Sequence, residues 1–341
     1  MASEIISTGG SDDASSETDA ELVEGLPEPE IRDCEVPAPM HGWRIDRALA
    51  ALVPEFSRSY LQQLMADGAV WFRGTEARKP SAKVTAGDRL RVELRPTQQA
   101  MAFVAQPMAL DVVFEDADLL VIHKPAGLVV HPAPGHWSGT LLNGLLAHHA
   151  GASSLPRAGI VHRLDKDTSG LMLVAKSRRS MEALVRAIAA REVRREYVAL
   201  GHGSWGRESP CEVERAVGRD PAQRLRMAVL RADQTGAKPA RTTVTLIGSN
   251  EQACLVACKL HTGRTHQIRV HMAWLGHPLV GDTLYGGKAT WGMERQALHA
   301  VRLSLAHPVT AVPLDFTSEP PPDFLTSVAA AGLHYNGPLP G

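Results

Sequence analysis

A succession of short apolar runs, with few helical patterns between them, constrains this chain more than any other feature. From residue 111 onward the runs read DVVFEDADLLVIHKPAG, GLMLVAKS, YVALGHG, TTVTLIG and CLVACKL. They are rich in β-branched and aliphatic residues and are bounded by turn formers, which is the signature of strands. Helical patterns intervene only at about 140–149, 180–192 and 265–275. Regular strand–helix alternation would announce a doubly wound parallel sheet, and it is missing. The expectation is therefore an α+β domain over 111–325 with a largely antiparallel mixed β-sheet.

The segment ahead of it reads differently. In RIDRALAALVP, Ile45, Leu49 and Leu52 recur at i, i+4, i+7, which predicts an amphipathic helix. Ser57 is placed to cap a second helix, SRSYLQQLMADG, that stops at Gly68. AVWFRG and DRLRVEL then read as short strands on either side of the turn VTAGD. The order helix, helix, strand, strand over 41–95, with Arg44, Arg47, Arg58, Arg73, Arg78, Lys79 and Lys83 spread across it, resembles an S4 domain. That resemblance implies RNA binding, with Arg44, Arg58, Lys79 and Lys83 as contacts. Two positions depart from the pattern. Tyr60 stands where a second basic residue is usual, and Phe72-Arg73-Gly74 replaces the common Val-Asn-Gly.

Composition bounds the remainder. Residues 1–38, rich in Ser, Asp, Glu and Pro, are expected to be a disordered acidic tail, because such a segment cannot bury enough apolar area to offset ordering. Residues 96–110 read as a linker and 326–341 as a C-terminal tail. The net charge of −1 hides an asymmetry: residues 1–30 carry nine acids and no Lys or Arg. The other 311 residues hold 36 basic against 28 acidic side chains, a net of +8 that suits a polyanionic partner. No apolar run approaches a membrane span, and the first residues lack a secretory pattern, so a cytoplasmic protein is expected, without a membrane partner. Cys34, Cys211, Cys254 and Cys258 fit a reducing compartment.

Two polar clusters are candidates for chemistry. GIVHRLDKDTSGLMLVAKS places His162, Arg163, Asp165 and Asp167 in one turn between apolar runs. KLHTGRTHQIRVHMAWLGHPLVGD carries a helix capped by Thr265, with Ile268, Met272 and Leu275 as its apolar stripe. Arg269 sits beside that stripe, and a buried cation needs an anion, for which Asp165 is the candidate. Such a partner holds a carboxylate ionised and in place. His261, His266 and His271 are spaced by five, which does not put metal ligands on one helical face, so no metal is expected. No dinucleotide fingerprint, P-loop or nucleophile elbow occurs.

HRLDKDTSG followed by TGRTHQIRVHMAWLGHPLVGD resembles the RluA family of RNA pseudouridine synthases. VIHKPAGLVVHPAPGHWSGTLLNGLL, RREYVALGHG, GRDPAQRLRMAV, GAKPARTTV and RQALHAVRLSL extend the likeness over 41–325. GLVVHPAPG followed by GTLLNGLL is most similar to the large-subunit synthase D subgroup, although His123 stands where that subgroup has Asn. The resemblance implies a pseudouridine synthase fold and isomerisation of uridine in large-subunit (23S) ribosomal RNA without a cofactor. It implies Asp165 as the catalytic carboxylate, Arg269 as its ion-pair partner and Tyr197 stacked on the uracil. It also implies that Arg163 fills the place of a flipped base, and that His162 and Arg264 meet RNA or brace the loop. Asp167 would hold the loop through backbone N–H groups. The partner is then RNA, free or in an assembling large ribosomal subunit, met by a monomer. A non-catalytic RNA-binding assembly factor on the same fold, a synthase for another structured RNA, and a nucleoside or base glycosylase with Asp167 as its second carboxylate are the alternatives.

Overall fold

The computed structural model describes residues 30–95, 100–223 and 226–337. The chain divides into two units between residues 99 and 100. The first contains β1 (Glu30–Glu35), α1 (Ile45–Leu52), α2 (Arg58–Ala66), β2 (Val70–Phe72), β3 (Thr75–Glu76) and β4 (Arg89–Leu94). Its sheet has the order β1-β4-β2-β3. Ser57 caps α2 as its position predicts, its hydroxyl accepting from the Tyr60 N–H. Arg73 and Gly74, both at positive φ (52° and 81°), make the two-residue hairpin turn between β2 and β3.

Order begins earlier than the composition suggests. Residues 30–35 fall within the expected acidic tail, yet they pair residue for residue with 94–89, and Val36 is buried. A strand added to a sheet edge is held by backbone hydrogen bonds. An argument from apolar side-chain area does not count them. The rest of the expected tail, residues 1–29, lies outside the described residues.

The buried helix faces of this unit carry Ile45, Leu49, Leu61 and Met65 against Leu90 and Val92. Asp46 is also fully buried, accepting from Arg44 (3.1 and 3.2 Å), Arg58 (2.7 and 3.3 Å) and Gln62 (2.7 Å). Two of the expected RNA-contacting arginines are thus engaged by a carboxylate, while each keeps half of its side chain exposed. Lys79 and Lys83 are exposed.

The second unit begins with β5 (Asp111–Glu115), β6 (Leu119–Lys124), α3 (Leu141–His148), β7 (Ser169–Ala175) and α4 (Arg178–Ala189). Next come β8 (Arg194–His202), β9 (Cys211–Glu214), β10 (Val217–Arg219), β11 (Met227–Val229), β12 (Arg241–Ser249) and β13 (Ala253–Leu260). It closes with α5 (Gln267–Trp274), β14 (Leu298–Ala306), β15 (Pro313–Thr317) and α6 (Pro322–Ala330). Nine strands form one sheet, ordered β5-β6-β7-β14-β8-β13-β12-β9 with β15 on β14, and β10 and β11 pair separately. Within that sheet β7–β14 is the parallel pairing, so the mixed, largely antiparallel expectation holds. Gly170 permits that pairing: its φ is +113°, and a Cβ there would lie 2.3 Å from the Ala300 carbonyl oxygen.

Both faces of the sheet are covered, which is why its central strands read as continuous apolar runs. Leu120, Ile122, Met172, Val174 and Val256 pack with Leu141 and Leu145 of α3 and Ile268 and Met272 of α5. Leu119, Val121, Leu171 and Leu173 point the other way, against Leu184 of α4. Two expected boundaries move. The segment from 100 belongs to this unit, because the Asn143 amide donates to the carbonyls of Met101, Ala102 and Val104. The expected C-terminal tail contains most of α6, whose Phe324 and Val328 are buried with Ala331 and Leu333. Those first three recur at i, i+4, i+7, a helical stripe that was present to be read.

Candidate active site

The turn that carries Asp165 is held from below by its backbone. Lys124, fully buried at the end of β6, donates from Nζ to the carbonyls of Pro125 (2.7 Å), Leu128 (2.9 Å) and Lys166 (2.9 Å). Burial pulls its pKa down to about 8, which still leaves an ammonium at neutral pH to fill three acceptors. The Gly127 N–H also donates to the Lys166 carbonyl, and the Asp165 carbonyl accepts from the Thr168 N–H. Arg295 Nη1 donates to the Asp167 carbonyl at 3.0 Å. Asp167 is therefore fixed through its carbonyl, where a side-chain grip on backbone N–H groups was expected.

His162 takes the loop-bracing one of its two expected roles. Its Nε2 accepts the Leu173 N–H at 3.0 Å, and burial pushes the ring down to about 3. A neutral imidazole tied to β7 anchors the loop and offers no charge to a phosphate. The reason lies in tertiary packing: β7 runs back beside the turn that precedes it.

Burial of Arg269, 7 % exposed on α5, sets the electrostatics. Its guanidinium donates from Nε and Nη2 to the two carboxylate oxygens of Asp282, at 2.7 and 2.8 Å. The remaining Nη1 donates to Asp165 Oδ2 at 3.2 Å. Burial by itself would weaken the charge on Arg269; the bonds and charges of Asp282 and Asp165 outweigh it and raise the pKa. The expected Arg269–Asp165 contact is present, but Asp282 is the stronger partner. Sequence reasoning missed Asp282. The signal was a Gly-Asp turn, in which Gly281 has φ +75° and a Cβ would lie 2.1 Å from the Arg295 carbonyl oxygen.

Helix α5 does not start on a Thr265 cap. Its first turn follows His266, which sits in the left-handed region with φ 56° and makes no capping bond. That conformation aims the imidazole inward: Nδ1 lies 2.7 Å from the Tyr285 hydroxyl and Nε2 3.9 Å from Asp165 Oδ1. The Tyr285 hydroxyl accepts from the Met227 N–H, so its own hydrogen is available to Nδ1. The tautomer that accepts there carries its proton on Nε2, facing Asp165. His261 and His271 go elsewhere, to Thr243 (2.8 Å) and Thr242 (2.9 Å).

Asp165 opens on a cavity of about 810 Å³. Tyr197 reaches it from β8 with 5 % of its surface exposed. Burial pushes the phenol up to about 12; Arg195 opposes that shift and Asp165 adds to it. Six arginines line the cavity, namely Arg157, Arg163, Arg191, Arg195, Arg264 and Arg269, and Asp165 is the sole acid among the lining residues. Arg163 is exposed, with no bond to another described residue. Arg264, also exposed, donates to the Pro239 carbonyl and not to Asp165. His123 lies outside the cavity lining, 3.2 Å from Asp111 and edge-on to His299.

A concave surface with this charge ratio attracts a phosphodiester chain and presents one acid to one nucleotide. Such a site suits an enzyme that acts on a polyanion. The comparisons with known proteins make the class specific. A family model described as RNA pseudouridylate synthase matches residues 118–274. "Ribosomal large subunit pseudouridine synthase D" of Neisseria meningitidis serogroup A is 46% identical over 299 residues, covering 84% of this chain and 78% of that protein. Its namesake in Vibrio parahaemolyticus is 42% identical over 304 residues, 85% and 91% of the two chains. "Uncharacterized RNA pseudouridine synthase YlyB" of Bacillus subtilis is 43% identical over 297 residues, 86% and 95%. Among solved structures, human RNA pseudouridylate synthase domain containing 1 superposes with a TM-score of 0.51 at 28% identity, covering 64% of this chain and 87% of that one. The chain belongs to the RluA family of RNA pseudouridine synthases, on the side of those named synthase D.

Proposed function

We propose that this synthase converts specific uridines of large-subunit ribosomal RNA to pseudouridine, with Asp165 as its catalytic carboxylate. The observation that carries the reading is Asp165 held by Arg269 at a cavity lined by six arginines and no other acid. The names of the 42–46% identical relatives support the choice of RNA. The reaction breaks N1–C1′, turns the uracil and forms C5–C1′, with loss of the C5 hydrogen. Nothing is oxidised or reduced, and no cofactor enters the scheme. Asp165 acts at the sugar, where a carboxylate attacks C1′, balances positive charge on it, or removes the C2′ proton. Arg269 keeps the carboxylate aimed. Tyr197 supplies a face for the uracil. A phenol held near 12 is a poor base at neutral pH, so it meets the C5 proton as a hydrogen-bonding partner and not as a phenolate.

The target base has to leave its helix first, which costs a few kcal/mol of stacking. Arg163, exposed at the cavity and unbonded, is suited to fill the vacancy. The first unit we read as S4-like, a positively charged platform presenting Arg44, Arg58, Lys79 and Lys83 to the same RNA. The test is tritium release from uridine labelled at C5, with protein-free large-subunit rRNA and with immature large subunits. Wild type should release label from at least one of them. Asp165→Asn, nearly isosteric, should release none while binding RNA as before. Equal release by the variant, or none by wild type on either substrate, overturns the reading.

A further inference from the structure

Among the described residues Arg195 is a buried cation without an anion. It sits two residues before Tyr197 on β8, so both side chains leave the strand on the same face. Both line the cavity that holds Asp165. Only 5 % of Arg195 is exposed, its Nε is buried without a hydrogen-bond partner, and it makes no ion pair among the described residues. Its neighbours on the strand behave otherwise: Arg194 pairs with Glu196, and Glu196 also approaches Arg302. Arg269, the other deeply buried arginine of the cavity, has two carboxylates. An unpaired guanidinium in such a place is costly to the fold, and charge-assisted bonds to an oxyanion repay the cost only when a ligand arrives.

The loop above it has been cleared for the guanidinium. Gly263 has no side chain, and a Cβ at that position would lie 2.9 Å from Arg195 Nη1. The other residues that line the cavity are cationic or neutral apart from Asp165, which Arg269 engages, and burial keeps His162 neutral.

We infer that Arg195, under Gly263, forms an anion subsite for a phosphodiester group flanking the nucleotide whose uracil meets Tyr197. The inference rests on the proposed RNA substrate and deepens it. Asp165 and Tyr197 address the sugar and the base, and Arg195 the phosphate, so a nucleotide is gripped at three points once its base has left the helix. A planar fork suits this, since two N–H groups reach two phosphate oxygens at once.

The test measures binding of uridine, uridine 5′-monophosphate and uridine 3′-monophosphate to the full chain by ligand-observed NMR titration. One of the two monophosphates should bind wild type about tenfold or more tightly than uridine, and which one does identifies the flanking phosphate. Arg195→Gln should bring that nucleotide to within about twofold of uridine, and Arg195→Lys should restore part of the preference. Gly263→Ala retains the charge and displaces only the tip of a flexible side chain, so it should weaken the preference without unfolding the protein. Loss of an unpaired buried cation should leave the melting temperature of Arg195→Gln unchanged or higher. Equal binding of all three ligands to wild type, or an undiminished preference in Arg195→Gln, overturns the inference. Tritium release by the same preparations separates the two readings. Isomerisation without a phosphate preference removes the subsite alone, and a phosphate preference without isomerisation removes the assigned reaction alone.

Discussion

Asp282→Asn isolates the part that Asp282 plays. The Asp282 side chain is 1 % exposed and that of Arg269 is 8 %, joined by two bonds of 2.7 and 2.8 Å. The substitution keeps the shape but sets an amide N–H against a guanidinium N–H and deletes the charge. Removing one partner of a buried ion pair costs about 3–5 kcal/mol, most of it the penalty of the charge left behind. Here Asp165 remains at 3.2 Å as a second carboxylate, so the lower end, about 3 kcal/mol, is expected. The catalytic consequence follows from the same geometry. Released from Asp282, the guanidinium turns its free fork toward Asp165 and moves it off its place. With Asp165 as the proposed catalytic carboxylate, a displacement near 1 Å lowers the rate by about 100-fold. Urea denaturation of the full chain should show the lower midpoint, and tritium release should show kcat down about 10- to 100-fold with KM nearly unchanged. Arg269→Met combined with Asp282→Leu should recover stability but no activity, because an apolar pair can replace a buried ion pair in the fold only. A single variant with wild-type midpoint and wild-type kcat refutes the reasoning.

Two further outcomes concern stability. Asp46→Asn should cost about 1–2 kcal/mol, less than for Asp282 because half of each arginine already reaches water, and hydrogen exchange in the full chain should rise over residues 30–95 first. Burial works against ionisation of Asp46, but the bonds from Arg44, Arg58 and Gln62 outweigh it and hold its pKa below the carboxylate range. The stability it adds is therefore complete above about pH 4 and is lost as pH falls below that; an Asp46→Asn protein should lack this acid limb. In the second unit, burial pushes His162 to about 3 and His131 and His299 to about 4. The unfolded chain takes up these protons from about pH 6.5 downward while the folded one does not, so stability should fall as pH drops from 6.5 toward 4, by about 1.4 kcal/mol per pH unit for each site. A flat melting temperature across that window would show that these rings titrate normally.

Much of this molecule is written in local pattern. Strand runs, the i, i+4, i+7 stripes of α1 and α5 and the Ser57 cap depend on neighbours a few residues away, and each appears where its pattern lies. Asp165 and Arg269 were also legible as a pair, because a cation beside the apolar stripe of α5 needs an anion and the polar turn offered one. What tertiary structure decided is the choice of partners. β1 forms because β4 has an open edge, which no property of residues 30–35 announces. Lys124 and Asp165 lie 41 residues apart, and only closure of the sheet puts one beneath the turn of the other. Whether a buried arginine has two carboxylates, as Arg269 has, or none among the described residues, as with Arg195, is likewise settled by packing. A side chain's type sets what it needs; desolvation enforces the need only after distant segments have closed around it.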